Sequence, residues 1–180
     1  MDLGLRGRKP IVSAASRGLG RACAMSLAGE GVDVTIMART AGDLQTTADE
    51  IASATGVTVQ PVAGDFNSEA DQRRLLAACP EPDIVVCNPG VRQVPDAYDA
   101  IDRESWQQWL NDHFLSSITM IQRVAPGMCE RRFGRIVNMS VSFIKFPQSG
   151  FAHSHAARLA LSGAVAAMAR DLIAHNVTIN

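Results

Sequence analysis

Short apolar runs alternate with longer segments of helical periodicity along this 180-residue chain, and no other feature constrains its fold as much. The apolar runs fall at 10–14, 32–37, 57–62, 83–87, 134–139 and 177–179, and the helical patterns at 17–29, 41–54, 68–78, 103–131 and 150–175. Runs such as Ile84-Val85-Val86-Cys87 are apolar at successive positions, as expected of a strand buried on both faces. Strand and helix in strict alternation predict an α/β fold: a parallel sheet with helices on both faces, in three αβα layers. Gly29 and Gly31 stop the first helix, Pro80 and Pro82 the third, and Pro89, Gly90 and Pro95 bound a loop after the fourth strand. No repeat or low-complexity linker interrupts the pattern, so residues 1–180 are expected to form a single domain.

The first strand-to-helix connection is Ser13-Ala14-Ala15-Ser16-Arg17-Gly18-Leu19-Gly20. Small residues here let the backbone approach a ligand, and the free amides and positive dipole end of the following helix favour a pyrophosphate. In this context the turn predicts a Rossmann-type, doubly wound dinucleotide-binding sheet. Its crevice lies at the carboxyl ends of the first and fourth strands, where loops 14–20 and 88–100 are expected to face each other, bringing in Asn88 and Gly90.

Composition narrows the function further. A net charge of −1 without a basic stripe argues against nucleic-acid binding. The cysteines, Cys23, Cys79, Cys87 and Cys129, have no metal-ligand spacing and read as free thiols in a reducing compartment, so no metal is expected. The apolar stretch 159–169 is shorter than the ~20 residues of a spanning helix. A secretory leader is not expected either, since Arg17 and Arg21 break the first apolar region. A cytoplasmic, soluble protein is the expectation.

Two positions bear on the nucleotide. Ala38-Arg39 follows the second strand, where an acidic residue would bond ribose hydroxyls. A guanidinium there suits a 2′-phosphate instead, and Arg17 adds a second charge, so NADP(H) is favoured over NAD(H). The alternative is two solvated arginines. Asp65, before Phe66, can accept a hydrogen bond from the adenine amino group, or it can simply cap the helix near Asn67 and Ser68.

Taken together, these residues resemble the short-chain dehydrogenase/reductase family, with a flavour of the 3-oxoacyl carrier-protein reductases, over essentially the whole chain. The turn 13–20 resembles the family's Thr-Gly-x-x-x-Gly-x-Gly, with Ala14 in place of its first glycine. Asp65-Phe66, Cys87-Asn88-Pro89-Gly90 and the run from Gly134 to Ser140 resemble further family segments, as does the stretch from Arg170 to Asn180. The resemblance implies hydride transfer between a nicotinamide and a carbonyl or alcohol carbon. It also implies a tyrosine acid, a lysine four residues later that holds the nicotinamide ribose, a serine that polarises the oxygen, and an asparagine that holds a relay water. It further implies a homodimer or homotetramer through helices 103–131 and 150–175, and a chain that continues past Asn180 into a substrate lid and a seventh strand.

The catalytic set departs from that pattern. Ser154 falls at the tyrosine, Arg158 at the lysine and His113 at the asparagine, while Val141 takes the serine position between Ser140 and Ser142, which would share a strand face. No Tyr-x-x-x-Lys pair occurs, since Tyr98 is the only tyrosine and Lys9 and Lys145 the only lysines. Arg158 keeps the charge and the ribose contact, but an aliphatic hydroxyl is too weak an acid to replace a phenol. His113, His155 and Tyr98 are the candidate proton donors, against packing roles for each. Two functions follow: an NADP(H)-dependent carbonyl reductase of divergent mechanism, or a catalytically silent NADP(H)-binding module acting as sensor or partner subunit. A scaffold that binds no nucleotide is a third.

Overall fold

The computed structural model describes residues 3–90 and 97–180, without the side chain of Phe143. Its strands are β1 (Pro10–Ser13), β2 (Val34–Ala38), β3 (Val59–Ala63), β4 (Ile84–Cys87), β5 (Gly134–Asn138) and β6 (Val177–Ile179). All pair in parallel, in the order β3-β2-β1-β4-β5-β6. The order reverses between β1 and β4, which lie side by side with Ile11 opposite Val85, so the crevice opens where the sequence places it.

The helices are α1 (Gly18–Gly29), α2 (Ala41–Thr55), α3 (Glu69–Ala78), α4 (Arg103–Leu110), α5 (Ser116–Glu130) and α6 (Ala152–Leu172). Alternate side chains of a strand point to opposite faces, and the sheet separates two cores accordingly. Val12, Val34, Ile36 and Val86 pack against Ala24 and Ala28 of α1 and Leu44, Ala48 and Ile51 of α2. Ile11, Val85, Cys87, Ile136 and Ile179 pack against Leu75 of α3, Met120, Val124 and Met128 of α5, and Leu161 and Val165 of α6. This is the expected three-layer, single Rossmann-like domain.

Two boundaries correct the sequence reading. The segment 103–131 is not one regular helix, because Asn111–Leu115 form a π-helical turn between α4 and α5. Such a turn inserts a residue into the ladder and shifts the carbonyls around it. The Ser116 hydroxyl donates to the Asp112 carbonyl at 2.7 Å, and buried Gln72 of α3 donates through Nε2 to the carbonyls of Ser116 and Phe66, both at 2.8 Å. Arg123 Nη1 in turn donates to Gln72 Oε1 at 2.7 Å. Secondly, β5 ends at Asn138, and Ser142–Ile144 form a short 3₁₀ turn. Ser140 and Ser142 therefore do not share a strand face, and both are exposed.

Candidate active site

The glycine turn shows why its residues are small. A Cβ on Gly20 would collide with the Ala14 carbonyl, its carbon at 2.8 Å and the Ser13 oxygen at 2.9 Å. Only glycine lets α1 start so close to the end of β1. Gly18 and Ala14 both have left-handed backbone, φ +58° and +47°. Alanine at such a position is strained. The Ala15 amide donates to the Met37 carbonyl at 3.0 Å, and Thr47 Oγ1 of α2 donates to the Ser16 carbonyl at 2.9 Å, pinning the turn from two sides. Arg17, the N-cap of α1, makes no side-chain cap, and the first turn holds no acidic residue. The N-terminal amides are thus left for an anion.

Ala14, Ser16, Arg17 and Leu19 form one wall of a cleft of about 370 Å³; Arg39, the segment Gly64 to Asn67, Asn88 and Gly90 line other parts of it, together with the carboxylates Asp43 and Asp112. Ser13, expected to touch the cofactor, is instead fully buried and is not among the cleft-lining residues. Its Oγ accepts from the Asn88 amide at 2.7 Å and lies 3.2 Å from the Val86 and Asn88 carbonyls, so it ties the end of β1 to the end of β4. Gly18 and Gly20 are likewise not among the cleft-lining residues.

At the rim, Arg17 and Arg39 are both exposed and make no ion pair among the described residues. Arg39 Nη2 stands 3.8 Å from where a Cβ on Gly90 would be, so the guanidinium crosses toward the opposite wall. Asp65 Oδ1 accepts from the Asn67 amide at 3.0 Å, and the helix cap is supplied by Ser68, whose Oγ accepts from the Asp71 amide at 3.4 Å. Asp65 therefore closes a local turn and also lines the cleft, while Phe66 is buried beneath it. Residues 91–96 of the expected facing loop lie outside the described residues.

Ser154, His155 and Arg158 lie on α6 and His113 on the π-helical turn, two elements that pack together, whereas Ser140 and Ser142 lie in the connection between β5 and α6. Ser154 and Arg158, one turn apart on α6, are both buried. Arg158 Nη1 donates to the Met139 carbonyl at 2.9 Å; burial lowers the guanidinium's pKa, though arginine stays charged at neutral pH. Arg158 is not among the residues lining the nucleotide cleft. His113 is 1 % exposed and stacks on Trp109 with ring centroids 4.3 Å apart. The imidazole that joins it is His153, 3 % exposed and edge-on to Trp109 at 4.4 Å. Sequence reasoning selected His155 instead, which is only half-buried. Trp109 would have been the available signal, since it lies one turn before His113. Tyr98 sits in a 3₁₀ turn, 78 % exposed.

Among the described residues no group of three His, Cys, Asp or Glu is placed to hold a metal, and no helix is long and apolar enough to cross a membrane. The parallel sheet, the uncapped α1 and the cleft at the reversal of strand order define a Rossmann-like fold. Residues 9–180 match the short chain dehydrogenase family, and the chain belongs to it. It is 30% identical to the uncharacterized oxidoreductase YvaG of Bacillus subtilis, over 100% of this chain and 68% of YvaG. A 3-oxoacyl (acyl-carrier-protein) reductase from Agrobacterium tumefaciens, solved with NADP bound, is 30% identical with TM-score 0.89, covering 98% of this chain and 69% of that one. The 3-oxoacyl-[acyl-carrier protein] reductase of Brucella melitensis, solved with bound NAD, shares the fold at TM-score 0.87 and 24% identity, over 95% of this chain and 68% of that one.

Proposed function

We propose that the chain binds NADP(H) in the cleft and reduces a carbonyl compound, of the 3-oxoacyl kind or a related ketone. The observation that carries this reading is the pair Arg17 and Arg39, two exposed guanidiniums without ion pairs among the described residues, on the rim of a cleft walled in part by an uncapped helix N-terminus. The cleft suits the nucleotide: Gly20 leaves no Cβ between the turn and the helix, and the α1 amides face it. NADPH would supply the hydride. The chain's own residues orient and protonate: Asn88 and Gly90 form the wall toward the nicotinamide, Arg158 holds a positive charge beside the reacting carbon, and an imidazole nitrogen of His113, or a water it holds, gives the proton to the carbonyl oxygen. Ser140, Ser142, Ser154 and His155 remain candidates for polarising that oxygen.

The homodimer or homotetramer belongs to this reading, supported by exposed Leu115 beside α5 and exposed Leu159, Ala156 and Gly163 on α6. A cytoplasmic setting is supported by four free thiols. The test is calorimetric titration with NADPH and NADH. NADPH is expected to bind at least about tenfold more tightly, and Arg39→Ala to remove most of that preference. Equal affinities would overturn the cofactor assignment. Turnover of 3-oxoacyl thioesters and ketones, followed by nucleotide absorbance, is expected to fall in Arg158→Ala and His113→Ala; undiminished turnover in both would overturn those roles.

The silent NADP(H)-binding module is the second reading. It is favoured by Ser154, an aliphatic hydroxyl at the acid position, with the only tyrosine exposed elsewhere. Saturable NADPH binding without turnover of any carbonyl would establish it over the first.

A further inference from the structure

Arg158 is a buried cation with part of its hydrogen-bonding capacity unused. It is 9 % exposed, and no carboxylate lies within ion-pair distance of it among the described residues. Burial of an uncompensated guanidinium is unfavourable, so the arrangement calls for an anion. The pattern of its bonds indicates the shape of that anion. Nη1 is committed to the Met139 carbonyl at 2.9 Å, whereas Nε is buried and has no hydrogen-bond partner among the described residues. The edge left open is the side of the guanidinium that carries Nε and Nη2, whose two N–H groups run parallel and match the two oxygens of a carboxylate.

The surroundings favour negative charge as well. A helical side chain tilts toward its own N-terminus, so Arg158 leans back toward Ser154 and the first turn of α6. That turn has no acidic residue and no side-chain cap on its amides, and it begins a helix that runs from Ala152 to Leu172. Asp112, the buried carboxylate of the π-helical turn, is engaged by Gln108 Nε2 at 2.7 Å and makes no ion pair with Arg158. Ser154, buried one turn from Arg158, offers a small hydroxyl rather than a bulky side chain beside this edge.

We propose that the Nε–Nη2 edge of Arg158, together with the first turn of α6, binds a carboxylate carried by the substrate, which selects free oxo acids among the ketones of the reading above over 3-oxoacyl thioesters, whose acid group is esterified. This rests on the NADP(H)-dependent reading above. The guanidinium then fixes the acid group while the carbonyl, a short distance along the chain, faces the nicotinamide end of the cleft.

Acetoacetate and its neutral methyl ester carry the same ketone and differ only in the acid group. Binding of each to the NADPH-loaded protein is measured by calorimetry and by Trp fluorescence, with inorganic phosphate as a third probe. Acetoacetate is expected to bind at least about tenfold more tightly than the ester and than phosphate. Arg158→Met is expected to erase the difference between acid and ester when both are measured on protein saturated with NADPH. Arg158→Lys keeps the charge without the fork and is expected to retain part of the preference, which covers the case in which Arg158→Met does not fold. Equal binding of acid and ester to the unmodified protein, a preference that survives Arg158→Met or is undiminished in Arg158→Lys, or phosphate binding as tight as acetoacetate would each overturn the proposal. Failure of the protein to bind NADPH at all is a separate result that overturns the underlying reading.

Discussion

Ala14 is the residue at which a single atom group should matter most. Its φ of +47° is left-handed, a conformation in which a Cβ crowds the following carbonyl at a cost of about 1–2 kcal/mol. Glycine enters this region freely, but it raises the entropy of the unfolded chain by about 0.4–1 kcal/mol. Ala14→Gly should therefore stabilise the protein by a net ~0.5–1 kcal/mol. At about 2.1 cal/mol/K of unfolding entropy per residue, that corresponds to a rise in Tm of roughly 2 °C for a chain of 180 residues. Urea unfolding should show a higher midpoint at unchanged slope, because the surface exposed on unfolding is the same. Ala14→Val serves as the opposite arm: a β-branched residue at positive φ should lower the midpoint by more than Ala14→Gly raises it. An Ala14→Gly midpoint equal to or below that of the parent would refute the reasoning, since the backbone would then carry no strain for glycine to release.

Other substitutions test the remaining parts of the frame. Gly20→Ala places a Cβ against the Ala14 carbonyl, so α1 must withdraw from the turn; NADPH titration should show affinity reduced at least about tenfold, with a lower Tm. Gln72→Met leaves the Phe66 and Ser116 carbonyls without their donor and should destabilise by about 2–3 kcal/mol in urea unfolding. Burial holds the Cys87 thiol protonated up to about 12, whereas the unfolded thiol ionises near the ordinary 9.0. Its contribution is thus fully present below pH 9 and is lost as pH rises from there toward 12, and Cys87→Ala should flatten that alkaline decline in Tm. In the native protein, a thiol reagent at mildly alkaline pH should modify Cys23 and Cys129, and reach Cys79 and Cys87 only on unfolding.

The strands were the most legible elements because a parallel sheet covered on both faces demands unbroken apolar runs, and all five residues of β2 are buried. Helix boundaries agree to within a few residues for the same reason: caps and glycines are local signals. The π-helical turn at Asn111–Leu115 was not legible, since one inserted residue barely disturbs the apolar pattern of a long helix, and what stabilises it is Gln72, distant in sequence. The same holds for His153. Two histidines spaced by one residue look alike in a sequence, and the choice between them is made by Trp109 on a neighbouring helix. The structural part played by Ser13 is not legible in the sequence, because its hydroxyl meets the Asn88 amide, 75 residues away. The glycine turn itself was legible because its constraint, the absence of a Cβ, is a property of the residue type.

The Ser13 hydroxyl has a thermodynamic consequence for the crevice. Because one buried oxygen joins the ends of β1 and β4, the two walls of the crevice are tied together through the folded core. For a nucleotide bound as proposed, such a tie lowers the binding free energy spent in drawing the walls together. Under the proposed NADP(H) reading, discrimination between nucleotides then falls to the solvent-facing Arg17 and Arg39 at the rim. Ser13→Ala would transfer part of that decision to the walls themselves.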